Sequence, residues 1–178
     1  MPKYSQNKIK QLLEKSDNAL NADTKGAILE QLVRYLFSRI PGVTFYAANV
    51  LDGVRAHELD VVFSNDTRTS DLYFLDFIII TECKNTAKHV GADAVRWFIS
   101  KLQDRGVKTG VLISLCGITG EYDNCSHAHS EIINALNRDG IKVLVVKRED
   151  ILSFIETKDL VILLQKKIMT LTIERTIK

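Results

Sequence analysis

The sequence predicts an α/β fold with three layers, in which helices cover both faces of a mixed β-sheet. Helical and strand periodicities alternate in the second half of the chain, an order typical of βαβ units with parallel strands. The first half instead predicts three successive strands, which favours a meander. With 178 residues, 46% of them hydrophobic and 26% charged, the chain is long enough for a single domain with a full core.

The individual elements follow from changes in hydrophobic period and from turn residues. Helices are predicted over 5–20 and 24–40, the second because its apolar residues share one stripe and Pro41-Gly42 follow it. The later predicted elements are strands at 43–50, 59–63, 74–83, 110–116 and 141–146, and helices at 91–106, 124–139 and 159–173. We expect one domain over 1–178, consisting of an N-terminal helix (1–22), a core (23–156) and a C-terminal helix (157–178).

The composition favours a cytoplasmic protein without membrane contact. The first ten residues, MPKYSQNKIK, contain no apolar run, and no later stretch approaches the roughly 20 apolar residues of a membrane span. The cysteines, Cys83, Cys116 and Cys125, form no Cys-x-x-Cys pair. We expect Cys83 and Cys116 to be small buried hydrophobes.

Charged residues stand at the end of the most apolar predicted strand. Residues 77–80 offer no polar face, so this strand is predicted to be buried on both sides. Glu82 and Lys84, two positions apart, project from one face, whereas Cys83 points to the other. If the strand pairs as a hairpin with the preceding one, Asp60 lies beside Glu82. Two carboxylates and an ammonium group then converge.

Such a group of charges suits the hydrolysis of a phosphodiester. A hard divalent cation such as Mg²⁺ takes one or two carboxylates together with phosphate oxygens and water. The ion polarises the phosphate and acidifies a bound water. Lys84 would orient or deprotonate that water, or stabilise the charge that develops on the phosphate. The alternative is an exposed ion pair between Glu82 and Lys84, worth only about 0–1 kcal/mol.

These residues resemble the PD-(D/E)xK nuclease superfamily, which has the restriction-endonuclease-like fold. Asp60 precedes Glu82-Cys83-Lys84 by a hairpin-sized interval, and Glu30 in GAILEQLV matches an acid that many members place on the first core helix. Over roughly residues 24–155, the order of segments resembles the Mrr-like branch: DVV, ECKN, GADAVRWFISKL, TGVLISLCGITG and DGIKVLVV. One departure is that no proline precedes Asp60, a feature that members of the superfamily often lack.

The resemblance implies a metal-dependent endonuclease that hydrolyses DNA, with a role in restriction or in defence against foreign DNA. Asp60 and Glu82 are the implied ligands of Mg²⁺, for which Mn²⁺ would substitute. Lys84 is the implied water-activating or charge-stabilising group, and Glu30 an accessory ligand or neighbouring acid. Members often work as dimers that cut two strands, so a homodimer is expected.

A basic stretch follows the predicted site. Residues 84–108 carry six bases against two acids. Lys88, Arg96, Lys101 and Arg105 are therefore candidates for contacts with DNA phosphates, since most protein contacts to DNA are to its backbone. A solvated helix face would account for each of these bases equally well.

Other interpretations remain open at the level of sequence. The same fold with a weak or inactive site would bind nucleic acid or assemble with a partner subunit. Glu30 lies near the border of the apolar stripe of its helix, so a solvated glutamate is the alternative to an accessory acid. Glu58 is either a further acid or a residue of the strand edge. A nucleotide-dependent enzyme is disfavoured, because no glycine-rich phosphate loop follows a strand. His127 and Glu131 have metal-ligand spacing, but His129 falls on another helical face, so no metal site is predicted there.

Overall fold

The structure, a computed structural model, describes residues 1–51, 58–120 and 127–177. In chain order its elements are α1 (Gln6–Asn18), α2 (Ala22–Phe37), β1 (Val43–Leu51), β2 (Glu58–Asn65), β3 (Ile78–Lys84), α3 (Ala92–Gln103), β4 (Thr109–Ser114), α4 (Ala128–Asp139), β5 (Lys142–Val146), α5 (Arg148–Ser153) and α6 (Thr157–Met169), followed by a π-helical turn, Thr170–Glu174. Within these ranges, no helix combines the length and the apolar character that crossing a membrane requires.

The five strands form one mixed sheet with the order β1-β2-β3-β4-β5. β1, β2 and β3 pair antiparallel as a meander. β3, β4 and β5 pair parallel, and α3 and α4 lie on the crossovers between them. The mixed sheet that the sequence predicts is therefore confirmed. Its central strand, β3, has an antiparallel neighbour on one side and a parallel neighbour on the other.

Helices cover both faces of this sheet. Leu102 of α3 packs against Gly110 of β4 and occupies the space that a side chain at position 110 would need. Phe37 of α2 stacks on Phe63 of β2 with ring centroids 5.1 Å apart. The pairing partners of Gly110 and Phe63 on β3 are adjacent residues, whose side chains point to opposite faces. α2 and α3 therefore occupy opposite layers, and the three-layer α/β/α sandwich is confirmed.

The start of β3 differs from the prediction. The strand begins at Ile78 instead of residue 74, and Phe77 and Ile78 are 65% and 43% exposed. Asn65 accounts for the later start, because its amide donates to the carbonyls of Leu72 and Asp76 and holds the preceding segment in turns. Burial on both faces applies only from Ile79 onward.

Two further expectations need correction. The sequence analysis misses α5, whose six residues are too few to show a helical period; the side chain of Asp150 caps it by accepting from the backbone N–H of Lys147. Cys116 was expected to be buried but is exposed, because it lies just beyond the end of β4. Cys83 is buried as predicted, and Cys125 lies outside the described residues.

The contact at Gly110 gives a test of the packing between α3 and the sheet. A Cβ atom at Gly110 would lie 2.6 Å from Leu102 Cδ1 and 2.7 Å from Phe98 Cζ. We expect Gly110→Ala to lower the free energy of unfolding by about 1–3 kcal/mol, because α3 must shift away from β4. Gly26→Ala is the matched control, since nothing lies within 4 Å of a Cβ there. It should raise stability by up to about 1 kcal/mol, because Gly26 lies within α2. Urea unfolding measures both changes, and equal effects would contradict the close packing.

Candidate active site

Asp60 and Glu82 lie next to each other across the β2–β3 hairpin. The pairing of Val61 with Thr81 puts Asp60 level with Glu82. One carboxylate oxygen of Asp60, Oδ2, accepts a hydrogen bond of 2.7 Å from the backbone N–H of Cys83. The hairpin expected from the sequence is therefore present, and it fixes Asp60 against the end of β3.

Glu82 is held between two lysines. Its Oε1 atom lies 2.9 Å from Nζ of Lys84, and its Oε2 atom lies 2.6 Å from Nζ of Lys101. Glu82 is only 2% exposed and Lys101 4%, whereas one third of the Lys84 side chain is exposed. A buried carboxylate needs such partners, because an unpaired charge in the interior is strongly unfavourable. Each carboxylate oxygen of Glu82 is thus held by the ammonium group of a different lysine.

The position of Lys101 corrects the expectation of an exposed basic face. From its place in the basic stretch, Lys101 is expected to face solvent like its neighbours. Its side chain instead points from α3 into the sheet. Lys101 follows Phe98 by three positions and directly precedes Leu102, and both of these side chains are fully buried. Spacing of three residues places side chains on the same helical face. This spacing is the sequence signal that would have identified Lys101 as an inward-facing residue.

Asp60 is harder to ionise than an ordinary carboxyl group. Burial, followed by the negative charge of Glu82, raises the pKa of Asp60 to about 6, although the Cys83 N–H and the two lysines act in the opposite direction. Two carboxylates held this close are unfavourable when both are charged. A cation bound beside Asp60 would therefore favour its ionised form.

Lys84 remains an ammonium group at neutral pH. Burial lowers its pKa, but the charge and hydrogen bond of Glu82, together with the charge of Asp60, outweigh burial, so the pKa of Lys84 lies above its usual value. A lysine in this state donates hydrogen bonds and supplies positive charge. It has no free electron pair with which to accept a proton.

Glu30 approaches the site from the other layer, on α2. Asn49 of β1 donates a hydrogen bond of 3.3 Å from Nδ2 to Oε2 of Glu30. The φ angle of Asn49 is 52°, a left-handed conformation that asparagine tolerates better than most residues. Burial, together with the charges of Glu58 and Glu82, raises the pKa of Glu30 despite this hydrogen bond. Asn49 carries no motif signal, and the sequence analysis did not identify it.

The three acids do not form one compact set of ligands. In the ranges 1–51, 58–120 and 127–177, no three His, Cys, Asp or Glu side chains lie close enough together to hold one metal ion. Glu30 belongs to the helical layer opposite α3, which explains why it stands apart. Asp60 and Glu82 are therefore the two acids that the structure brings together.

The remaining bases named from the sequence lie in different surroundings. Arg96 is exposed and forms ion pairs with Asp93 at 3.1 Å and with Glu131 at 3.0 Å. Arg105 donates to the backbone carbonyl of Lys101 at the end of α3. Lys88 is exposed in the segment between β3 and α3. The four bases thus do not form one solvent-facing surface.

His127 and Glu131, the pair with metal-ligand spacing, lie at the start of α4. Glu131 is bound to Arg96. His129 is buried, and among the described residues neither of its ring nitrogens has a hydrogen-bond partner.

The end of β3 is anchored to the opposite layer. Asn85 donates from Nδ2 to the hydroxyl oxygen of Ser16 on α1, over 2.6 Å. Cys83 points towards that layer, and burial raises the pKa of its thiol well above the usual value. The thiol is therefore protonated and unreactive. These contacts hold the backbone on which Glu82 and Lys84 stand.

The raised pKa of Asp60 predicts a stability difference that depends on pH. Above pH 6, ionised Asp60 lowers the free energy of unfolding of the metal-free protein. Between about pH 6 and pH 4 the folded protein binds a proton at Asp60 more readily than the unfolded chain does. The destabilisation therefore disappears as the pH falls through this range. We expect Asp60→Asn to raise the free energy of unfolding at pH 7.5 by about 1–3 kcal/mol, and by much less at pH 4.5. Urea unfolding in EDTA at both pH values measures this. A loss of stability at pH 7.5 would contradict it.

The buried ion pair predicts coupling between Glu82 and Lys101. Lys101→Met should lower the free energy of unfolding by about 3 kcal/mol, because it leaves a buried carboxylate with one partner fewer. In a Glu82→Gln background the same change should cost about 1–3 kcal/mol less. Exposed Lys158→Met is the matched control, with no expected dependence on Glu82. If Lys101→Met costs the same in both backgrounds, the pair does not contribute as described.

The fold agrees with a comparison against known protein families. The Mrr_cat family model, described as a restriction endonuclease, matches residues 22–151. This range includes every strand of the sheet as well as Glu30, Asp60, Glu82 and Lys84. A search of curated proteins returned no match. The family match covers well over half of the chain, and we conclude that the protein belongs to the Mrr-type restriction endonuclease family of the PD-(D/E)xK superfamily.

Proposed function

We propose that this protein is a Mg²⁺-dependent endonuclease that hydrolyses phosphodiester bonds of DNA, with Asp60, Glu82 and Lys84 as its reactive groups. The observation that carries the proposal is their convergence at the end of β3, where two carboxylates and one ammonium group share one face of the sheet. Family membership supports a nuclease of the restriction endonuclease type. A role in restriction or in defence against foreign DNA is part of the proposal.

The donor set fits a hard divalent cation. Asp60 and Glu82 supply carboxylate oxygens, and a bound cation would favour the ionised form of Asp60, whose pKa is raised first by burial and then by the charge of Glu82. Mg²⁺ characteristically binds through one or two carboxylates and keeps several waters. Mn²⁺ accepts the same oxygen ligands and would substitute. When bound, such an ion supplies Lewis acidity towards the phosphate and a more acidic water.

Lys84 would act through its positive charge. As an ammonium group it can hydrogen-bond a water or a phosphate oxygen and stabilise the negative charge that grows during attack. Its bond to Oε1 of Glu82 fixes the direction of the side chain, so little rearrangement is needed. Of the roles considered from the sequence, charge stabilisation and orientation of the water are better supported than removal of a proton.

Lys101 and Glu30 would have supporting roles in the reaction. Lys101 is a positioning residue, because it holds Oε2 of Glu82 without reaching solvent itself. Glu30 would act as an accessory acid that adjusts the local charge. Lys88, which is exposed next to β3, would contact a phosphate flanking the cut. A homodimer would place two such sites on the two strands of a duplex.

Cleavage of plasmid DNA tests the proposal. With MgCl₂ or MnCl₂, the wild-type protein should nick or linearise the plasmid, and EDTA should abolish the reaction. Asp60→Asn and Lys84→Ala should each lower the rate by about a hundredfold or more, because each removes a group that acts on the developing charge. Gel electrophoresis of the plasmid over time gives the rates.

The controls are Glu14→Gln and Lys158→Ala, which change exposed charges on α1 and α6. Both should cleave at the wild-type rate. If Asp60→Asn and Lys84→Ala cleave as fast as these controls, the assignment of the site is wrong. Binding of DNA without cleavage in any divalent ion would instead favour a nuclease-fold binding subunit.

A further inference from the structure

A basic and aromatic groove lies between α1, α2 and β1, on the layer opposite α3. It has a volume of about 640 Å³ and is lined by Lys8, Arg34 and Arg39, together with Tyr35 and Phe45. Among the residues that the structure describes, no acid lines it. Since the whole chain has a net charge of only +2, three cations without an acid are a local concentration of positive charge. The sequence analysis did not identify this groove, because its cations come from separate elements.

The three cations are held by aromatic rings and not by carboxylates. Arg34 lies over the ring of Phe45, 3.8 Å from its centroid. Lys8 and Arg39 lie over the ring of Tyr35, at 4.3 Å and 5.5 Å. Throughout the part of the chain that the structure describes, none of the three forms an ion pair. Their charges therefore remain available to an anion.

The contacts with the rings leave the arginines able to bind phosphate. A guanidinium group that lies over a ring keeps N–H groups available, and two parallel N–H groups match two oxygens of a phosphate. The ring of Tyr35 is itself fixed, because its hydroxyl oxygen accepts a hydrogen bond of 2.8 Å from the backbone N–H of Ser5. Groups held in place in advance lose less conformational entropy when a ligand binds.

The groove continues to the acid on α2. A second cavity, of about 170 Å³, shares Gln31, Arg34 and Phe45 with the groove and is also lined by Glu30. Arg34 lies one helical turn beyond Glu30 and Ser38 a further turn, so the path along α2 measures about 12 Å. At about 3.4 Å per nucleotide along one strand of a duplex, that is three to four nucleotides. The path thus connects the edge of the candidate active site with a row of free cations.

We infer that this groove binds the sugar-phosphate backbone of DNA that flanks the cleaved bond, with Arg34 and Arg39 as the main phosphate contacts. The inference rests on the proposed function, because it identifies DNA as the polyanion. It moves the phosphate-binding surface from α3 to the opposite layer. On α3, Lys101 is buried and Arg96 is already bound to two acids.

Salt-dependent binding in the absence of metal tests the groove. Fluorescence anisotropy with a short labelled duplex, in EDTA and over a series of NaCl concentrations, gives the slope of log K against log salt. Each phosphate contact contributes about 0.9 to that slope. Arg34→Gln/Arg39→Gln should therefore reduce the slope by about 2 and weaken binding at least tenfold in low salt. Arg34→Lys keeps the charge but not the flat stacking group, so it should keep the slope while losing affinity.

The matched control is Lys158→Gln/Lys166→Gln, which removes two exposed charges from α6. Its slope should differ from the wild-type slope by clearly less than 1. Equal slopes for the two double variants would overturn the inference, as would a loss of binding to an RNA duplex without a loss on DNA. Thermal unfolding verifies folding; if the double variant does not fold, Arg39→Gln alone should reduce the slope by about 1, and an unchanged slope would overturn the inference.

The outcome is separable from that of the proposed function. If Arg34→Gln/Arg39→Gln reduces the slope of log K against log salt by about 2 while no divalent ion supports cleavage, DNA binding by the groove is supported and the nuclease assignment is wrong. If plasmid cleavage depends on Asp60 and Lys84 but the groove variant binds like its control, the nuclease assignment stands and the groove fails.

Discussion

The bond between Lys101 and Glu82 is the interaction on which the candidate site depends. It joins α3 to the central strand at a position where both side chains are almost completely buried. Burying two charges is unfavourable unless their geometry is good and their remaining hydrogen-bonding groups are satisfied. Glu82 meets that condition with a lysine on each oxygen, one inside the protein and one at its edge. The carboxylate is thus fixed before any substrate arrives.

Close packing between α3 and the sheet makes this bond possible. Gly110 of β4 has no side chain, so Phe98 and Leu102 approach the strand directly. Lys101 stands between these two residues on the same helix and is carried inward with them. The apolar contact and the ion pair therefore depend on one another, which is a reason for a glycine near the start of this fully buried strand.

The two helical layers contribute different kinds of charge. The layer of α3 supplies the buried lysine that binds Glu82. The layer of α2 supplies Glu30 and, further along, exposed arginines that lie over aromatic rings. A chain with a net charge near zero can still present a negative site beside a positive groove. Such separation of charge favours a ligand that is itself a polyanion and that binds a divalent cation.

The sequence by itself determined the order of the strands and of the longer helices, the mixed character of the sheet and the position of Asp60 beside Glu82. These follow from local periodicity and from the pairing rules of a hairpin, which depend on residues close along the chain. Tertiary structure decided the rest. Lys101, Asn49 and the cations of the groove each act together with residues of other elements, and their roles depend on how helices pack on the sheet. The rotation of a helix against its neighbours decides whether a lysine on it faces solvent or a buried carboxylate. The spacing of residues indicates which helical face a lysine shares, but not what that face contacts.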